Sequence, residues 1–192
     1  MRNKKVKQMV MAALFMALIL LLGLTPLGMI PAGALNLSIL AVPVIVGAVL
    51  MGWRWGLVFG GCFAATSIIN AFIKPSALVA TLMSRSVLGM LVMSLLPRLL
   101  VPLVAIGVYQ LLKQAKPVIR LTLCAIAGCL TNTVGYLGLM LLFYRMTGLD
   151  SQAVLGVITG LGGVSGLAEA AIAAIIVPPV LAALFKIDHR KD

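Results

Sequence analysis

Apolar runs of about 20 residues follow one another along this chain, the length a helix needs to cross the hydrocarbon core of a bilayer. The first, VKQMVMAALFMALILLLGL, lies near the amino terminus, and comparable stretches recur almost to the other end. In hydrocarbon every backbone N–H and C=O needs a partner within the protein, so runs of this length select helices. Composition agrees, with 62% of residues hydrophobic and 10% charged, against about 25% charged in a soluble domain. The expectation is an all-α integral membrane protein, a six-transmembrane-helix bundle forming one domain over residues 1–192.

The six spans cover about 6–24, 37–51, 55–72, 97–112, 118–144 and 153–185. The start, MRNKKVKQMVMAALF, has the basic and apolar regions of a signal peptide, but no small-residue cleavage site follows, so it reads as a retained first helix. Basic residues orient the bundle. With both termini cytoplasmic, eleven of the fifteen fall on the inner side: Arg2, Lys4, Lys5, Lys7, Arg54, Lys113, Lys116, Arg120, Lys186, Arg190 and Lys191. Trp53 and Trp55 flank Arg54 as an interfacial anchor. The charge of +11 therefore reports topology rather than nucleic-acid binding.

This orientation places residues 25–36 and 73–96 on the outer side as loops. The first belongs to TPLGMIPAGALNLSI, which holds two prolines and two glycines and no charge. A segment that breaks helices yet stays apolar is tolerated at membrane depth only where protein or a water-filled cavity satisfies its backbone. Both loops are expected to fold over something: the bundle alone, or a solute pocket open to the outside.

Ionisable groups at membrane depth are costly and mark candidate sites. Arg98 carries a planar fork of donors suited to a carboxylate or phosphate, or else it reaches the outer headgroups. Glu169 can pair with Arg98, accept from a substrate hydroxyl or amide, or carry a proton. Asn132 and Tyr136 are four residues apart and share a helix face with Thr133 beside them, as pocket lining or as interhelical glue. Asn36 and Asn70 end the first loop and the third span, and Arg85 lies in the second outer stretch. The substrate-binding candidates are therefore Arg98, Asn132, Tyr136, Glu169, Asn36, Asn70 and Arg85. Such a set suits a small polar solute, anionic if Arg98 faces it.

Several functions are excluded. There is no GxxxxGK[ST] loop to power transport with ATP. The GVSG of GLGGVSG invites an intramembrane serine protease, but the one histidine, His189, lies in the carboxy-terminal tail, too far to serve as base. An aspartyl-type hydrolase needs two carboxylates, and Glu169 is the one at depth. Cys62, Cys124 and Cys129 lie within apolar runs without ligand spacing, so no metal or disulfide site is expected. Small residues at helical spacing, namely Ala13 and Ala17, Gly52, Gly56 and Gly60, and Gly156 and Gly160, permit close helix approach within the bundle or against a partner.

The length, the six spans with both ends inside, the A-LFM-A of the first helix, the loop TPLGMIPAGALNLSI, and AVPVIVGAVLMGWRWGLVFG and LPRLLVPLVAIGVYQLL further on together resemble the S components of energy-coupling factor (ECF) vitamin transporters. That resemblance implies a subunit of the bacterial plasma membrane that binds a vitamin or precursor under outer gating loops. It implies docking through Ala13 and Ala17 onto a membrane T component that carries two ATPases, followed by toppling to release the cargo inside. ATP is then used by the partners, and this chain needs no cofactor. Within the family, the TPLG…IP pattern resembles members linked to pantothenate, pyridoxine or hydroxymethylpyrimidine; Arg98 tilts the choice to pantothenate, and riboflavin fits less well because few aromatics are placed to stack on it. The other classes are a cargo-free structural membrane protein and a proton-coupled secondary transporter working through Glu169, although no internal repeat supports the latter.

Overall fold

The computed structural model describes residues 2–32 and 35–189. In chain order the elements are α1 (Arg2–Leu24), β1 (Met29–Ala32), β2 (Leu35–Ser38), α2 (Ala41–Met51), α3 (Trp53–Ile73), α4 (Ala77–Arg85), α5 (Val87–Leu111), α6 (Pro117–Met146), α7 (Ser151–Val157) and α8 (Gly163–His189). Five helices are long and apolar enough to cross a membrane: α1, α3, α5, α6 and α8. The sixth expected crossing, 37–51, is corrected. Its first residues lie in β2, and the rest form the 11-residue α2, roughly 16 Å long at 1.5 Å per residue. Apolar on every side, α2 falls short of membrane length and is buried in the bundle, with Ala41, Val44, Ile45 and Ala48 fully covered.

The segment 25–39 supplies a departure from the all-helical expectation. Its prolines and glycines keep it from continuing α1, and β1 and β2 pair antiparallel, with Met29 opposite Ser38 and Pro31 opposite Asn36. Pairing satisfies within the ribbon backbone groups that a coil would leave exposed. The ribbon lies against α8 through β2.

The second expected loop, 73–96, is also corrected. A short helix, α4, fills 77–85, and α5 begins at Val87, ten residues before Pro97. Pro97 suggested a helix start, because the first helical turn has no use for the missing N–H. Here both Pro97 and Pro102 are interior to α5. The carbonyl left without its helical donor by Pro97 is that of Met93, four residues earlier, and the Arg98 guanidinium supplies the donor: Nη1 to the Met93 oxygen, 3.0 Å.

In the bundle, α5 packs between α3 and α6, and α6 packs along α8. Glycines set these approaches. A Cβ on Gly60 would lie 2.6 Å from the Arg98 carbonyl, and one on Gly166 would lie 2.9 Å from Thr133 Cγ2. Gly52, at φ 88°, reverses the chain between α2 and α3 in a conformation that L side chains resist. The Gly-rich stretch GLGGVSG stays helical, its start lying in a π turn over Ile158–Gly162 before α8. The helix α1 is peripheral, with 17% of its most apolar stretch buried.

One apolar core gathers Leu40, Ile45, Phe59, Phe63, Val101 and Ala105. A second, under α4, is built from Val79, Leu82, Met90, Met93, Met140 and Tyr144. Tyr144 Oη donates to the Leu78 carbonyl at 2.6 Å, fastening α4 to α6.

Candidate functional site

A cavity of about 470 Å³ lies between the two cores, within the roughly 300–1,000 Å³ range of small-ligand sites. Each wall is a helix face with residues three or four apart. Helix α3 contributes Phe63, Ser67, Asn70 and Lys74; α5 contributes Ser94 and Arg98. Helix α6 contributes Asn132, Thr133, Tyr136, Leu137 and Met140, and α8 contributes Ser165 and Glu169. Ser38 closes the site from the ribbon, and Leu78 and Val79 of α4 form an apolar wall.

Arg98 is 7% exposed and sits mid-helix, so it does not extend to a headgroup layer. Its guanidinium carbon lies 4.5 Å from the centre of the Tyr136 ring and 5.5 Å from that of Phe63. Cation–π contact in a desolvated setting stabilises such a charge by about 2 kcal/mol. With Nη1 bound to Met93, Nε is buried without a hydrogen-bond partner among the described residues.

Glu169 is 8% exposed. Its Oε1 accepts from the Ser38 backbone N–H at 2.6 Å, and its Oε2 accepts from the Thr133 hydroxyl at 3.1 Å. These bonds join β2, α6 and α8 at one carboxylate. The close approach at Gly166, one turn before Glu169, brings α8 within reach of Thr133. Of the roles open to Glu169, pairing with Arg98 is not the one formed; each has other hydrogen-bond partners.

Asn132 is 6% exposed, and its Oδ1 has no partner among the described residues. Asn70 lines the cavity while its Nδ2 donates to the Gly23 carbonyl at 2.7 Å, tying α3 to the end of α1. Five expected residues thus meet: Asn70, Arg98, Asn132, Tyr136 and Glu169. Arg85 is not brought to the cavity; it is exposed in the last turn of α4, where the free carbonyls of a helix end favour a cation. The backbone of Asn36 is placed opposite Pro31, and its side chain lies outside the described residues.

Sequence reasoning missed Phe63, Ser67 and Lys74, although their spacing of four, three and four with Asn70 is a helix-face signal. It also missed Ser38, for which no signal existed, because its backbone N–H, not its side-chain type, holds Glu169.

Five membrane-length helices around a cavity lined by both polar and apolar side chains define a multi-pass membrane protein. A family model described as the substrate-specific component of ECF transporters matches residues 7–181, and the chain belongs to that family, whose members are transport subunits rather than enzymes. No curated protein matches the chain significantly.

Proposed function

We propose that the chain captures a small water-soluble vitamin or precursor, pantothenate in first place, from the outer side of a bacterial plasma membrane and delivers it inward together with a T component and two ATPases. The observation that carries this reading is the Arg98 guanidinium, which lines a cavity of ligand size and uses Nη1 alone for a hydrogen bond among the described residues. A desolvated cation without an anionic partner is costly, and an anionic cargo offsets that cost. Pyridoxine and hydroxymethylpyrimidine are the alternative cargoes.

The orientation rests on charge. The cavity occupies the end of the bundle formed by the last turns of α1 and α3, while Arg54, Lys113 and Lys116 lie near the opposite helix ends. With the basic end cytoplasmic, the cavity faces outward under the ribbon and α4. For partner docking, Ala13 and Ala17 are exposed on α1 beside Leu14, Leu18 and Leu21. An exposed small-residue stripe suits approach by a helix of the T component. ATP is hydrolysed by the partners, and the chain itself works without a cofactor.

A thermal-shift screen of the purified chain against pantothenate, pyridoxine, hydroxymethylpyrimidine, thiamin, riboflavin, biotin and folate tests the reading. A ligand at about 100 times its Kd adds about 2.7 kcal/mol to the folded state. One clear hit supports the importer subunit; no hit across the panel removes the support for it.

A further inference from the structure

Two opposite charges share one cavity without pairing. Desolvated charges ordinarily pair, because an uncompensated ion in low dielectric is expensive. Here Arg98 and Glu169 are each held in place by other groups. Tyr136 and Phe63 stack on the guanidinium, and Met93 takes Nη1. Ser38 and Thr133 occupy one acceptor position on each carboxylate oxygen, of about four that a carboxylate offers.

What is left over differs between the two. Beside Arg98 the surplus is donor capacity, because the guanidinium carries several N–H groups and among the described residues only Nη1 has a hydrogen bond. Beside Glu169 the surplus is acceptor capacity, and the Asn132 side chain lines the same cavity. Helix α6 sets the spacing. Thr133 holds the carboxylate and Tyr136 covers the guanidinium, three residues apart, a rise of about 4.5 Å. The Leu78, Val79 and Met140 side chains border the same space and favour a carbon skeleton between the polar ends.

We infer that the cargo is a small hydroxy acid held lengthwise, with its carboxylate on Arg98 and its hydroxyl donors on Glu169 and Asn132. This rests on the cargo-binding reading above and adds to it the chemical class and the direction of binding. A cation leaves Arg98 facing a like charge. An acid without donors leaves the Glu169 and Asn132 acceptors desolvated and unmatched.

The test is calorimetric titration of the purified full chain with three probes. They are pantothenate, panthenol (a CH₂OH in place of the carboxylate) and an N-acyl-β-alanine of the same carbon skeleton without hydroxyls. On the unmodified chain each altered probe is expected to bind at least about tenfold more weakly than pantothenate, the scale of a charge-assisted hydrogen bond. In Arg98→Gln the gap between pantothenate and panthenol closes to within about threefold while the hydroxyl gap persists; in Glu169→Gln, which keeps a weaker, neutral acceptor, the hydroxyl gap narrows and the carboxylate gap persists. Equal affinity of the unmodified chain for all three probes overturns the inference without recourse to any variant. Gaps that ignore the variants, or answer them in the opposite order, overturn it and leave the importer reading standing. A vitamin panel in which pantothenate fails and another compound binds does the same. Binding by none overturns both.

Discussion

The backbone N–H of Ser38 donates to Oε1 of Glu169 at 2.6 Å across 131 residues of sequence. One end of this bond is the last residue of β2 and the other is a carboxylate lining the cavity. The covering ribbon and the inner wall of the site are thus joined directly, and a change in what Glu169 binds is felt by the ribbon.

Glu169→Ala is expected to release that attachment. The Ser38 amide should exchange with solvent about 10- to 100-fold faster, matching loss of a hydrogen bond to a charged group worth about 1.5–3 kcal/mol. Glu169→Gln, which keeps an acceptor, should show a smaller change. Hydrogen exchange followed by mass spectrometry reads both. Unchanged exchange in the alanine variant would mean that burial under the ribbon, not this bond, protects the amide.

Arg98 and Pro97 are expected to be coupled in stability. Arg98→Ala removes the donor to the Met93 carbonyl and should cost about 1–3 kcal/mol. In a Pro97→Ala background the backbone N–H returns to serve that carbonyl, so the same substitution should cost less by about 1 kcal/mol. Chemical denaturation of the four proteins in detergent measures the cycle. Additive costs would show that the Met93 contact contributes nothing of its own.

Gly60→Ala and Gly61→Ala form a contrasting pair. The first places a Cβ 2.6 Å from the Arg98 carbonyl, whereas the second meets no described atom within 4 Å. Separation of α3 from α5 should cost Gly60→Ala about 1–3 kcal/mol, and Gly61→Ala should unfold with the unmodified chain. Comparable midpoints for the two would show that α3 and α5 separate without penalty.

Bulky replacements at Ala13 and Ala17 address partner docking. With both exposed on α1, Ala13→Phe and Ala17→Phe are expected to leave the chain's own stability and cargo affinity within about twofold, since exposed substitutions perturb by roughly 0.5 kcal/mol or less. Vitamin uptake by cells that supply the T component and ATPases should be abolished. Uptake that survives both substitutions would place the docking surface elsewhere.

The sequence by itself determined the features that composition and period dictate. Runs of membrane length can be satisfied only as helices, so α1, α3, α5, α6 and α8 were legible, with their ends shifted where proline or glycine intervened. Polar residues too costly to strand in hydrocarbon marked the site, and Arg98, Asn132, Tyr136 and Glu169 do line one cavity. Tertiary structure decided the rest. Pro97 read as a helix start because its local preference is for a first turn, yet a long-range bundle and the Arg98 side chain make it tolerable inside α5. The ribbon could not be read from TPLGMIPAGALNLSI, because a two-stranded hairpin is marginal by itself and this one lies against α8, a contact that is not local. Glu169 was visible as a charge, but its partners were not. Ser38 lies 131 residues away and contributes only its backbone N–H, a group every residue except proline carries, so only packing could choose it.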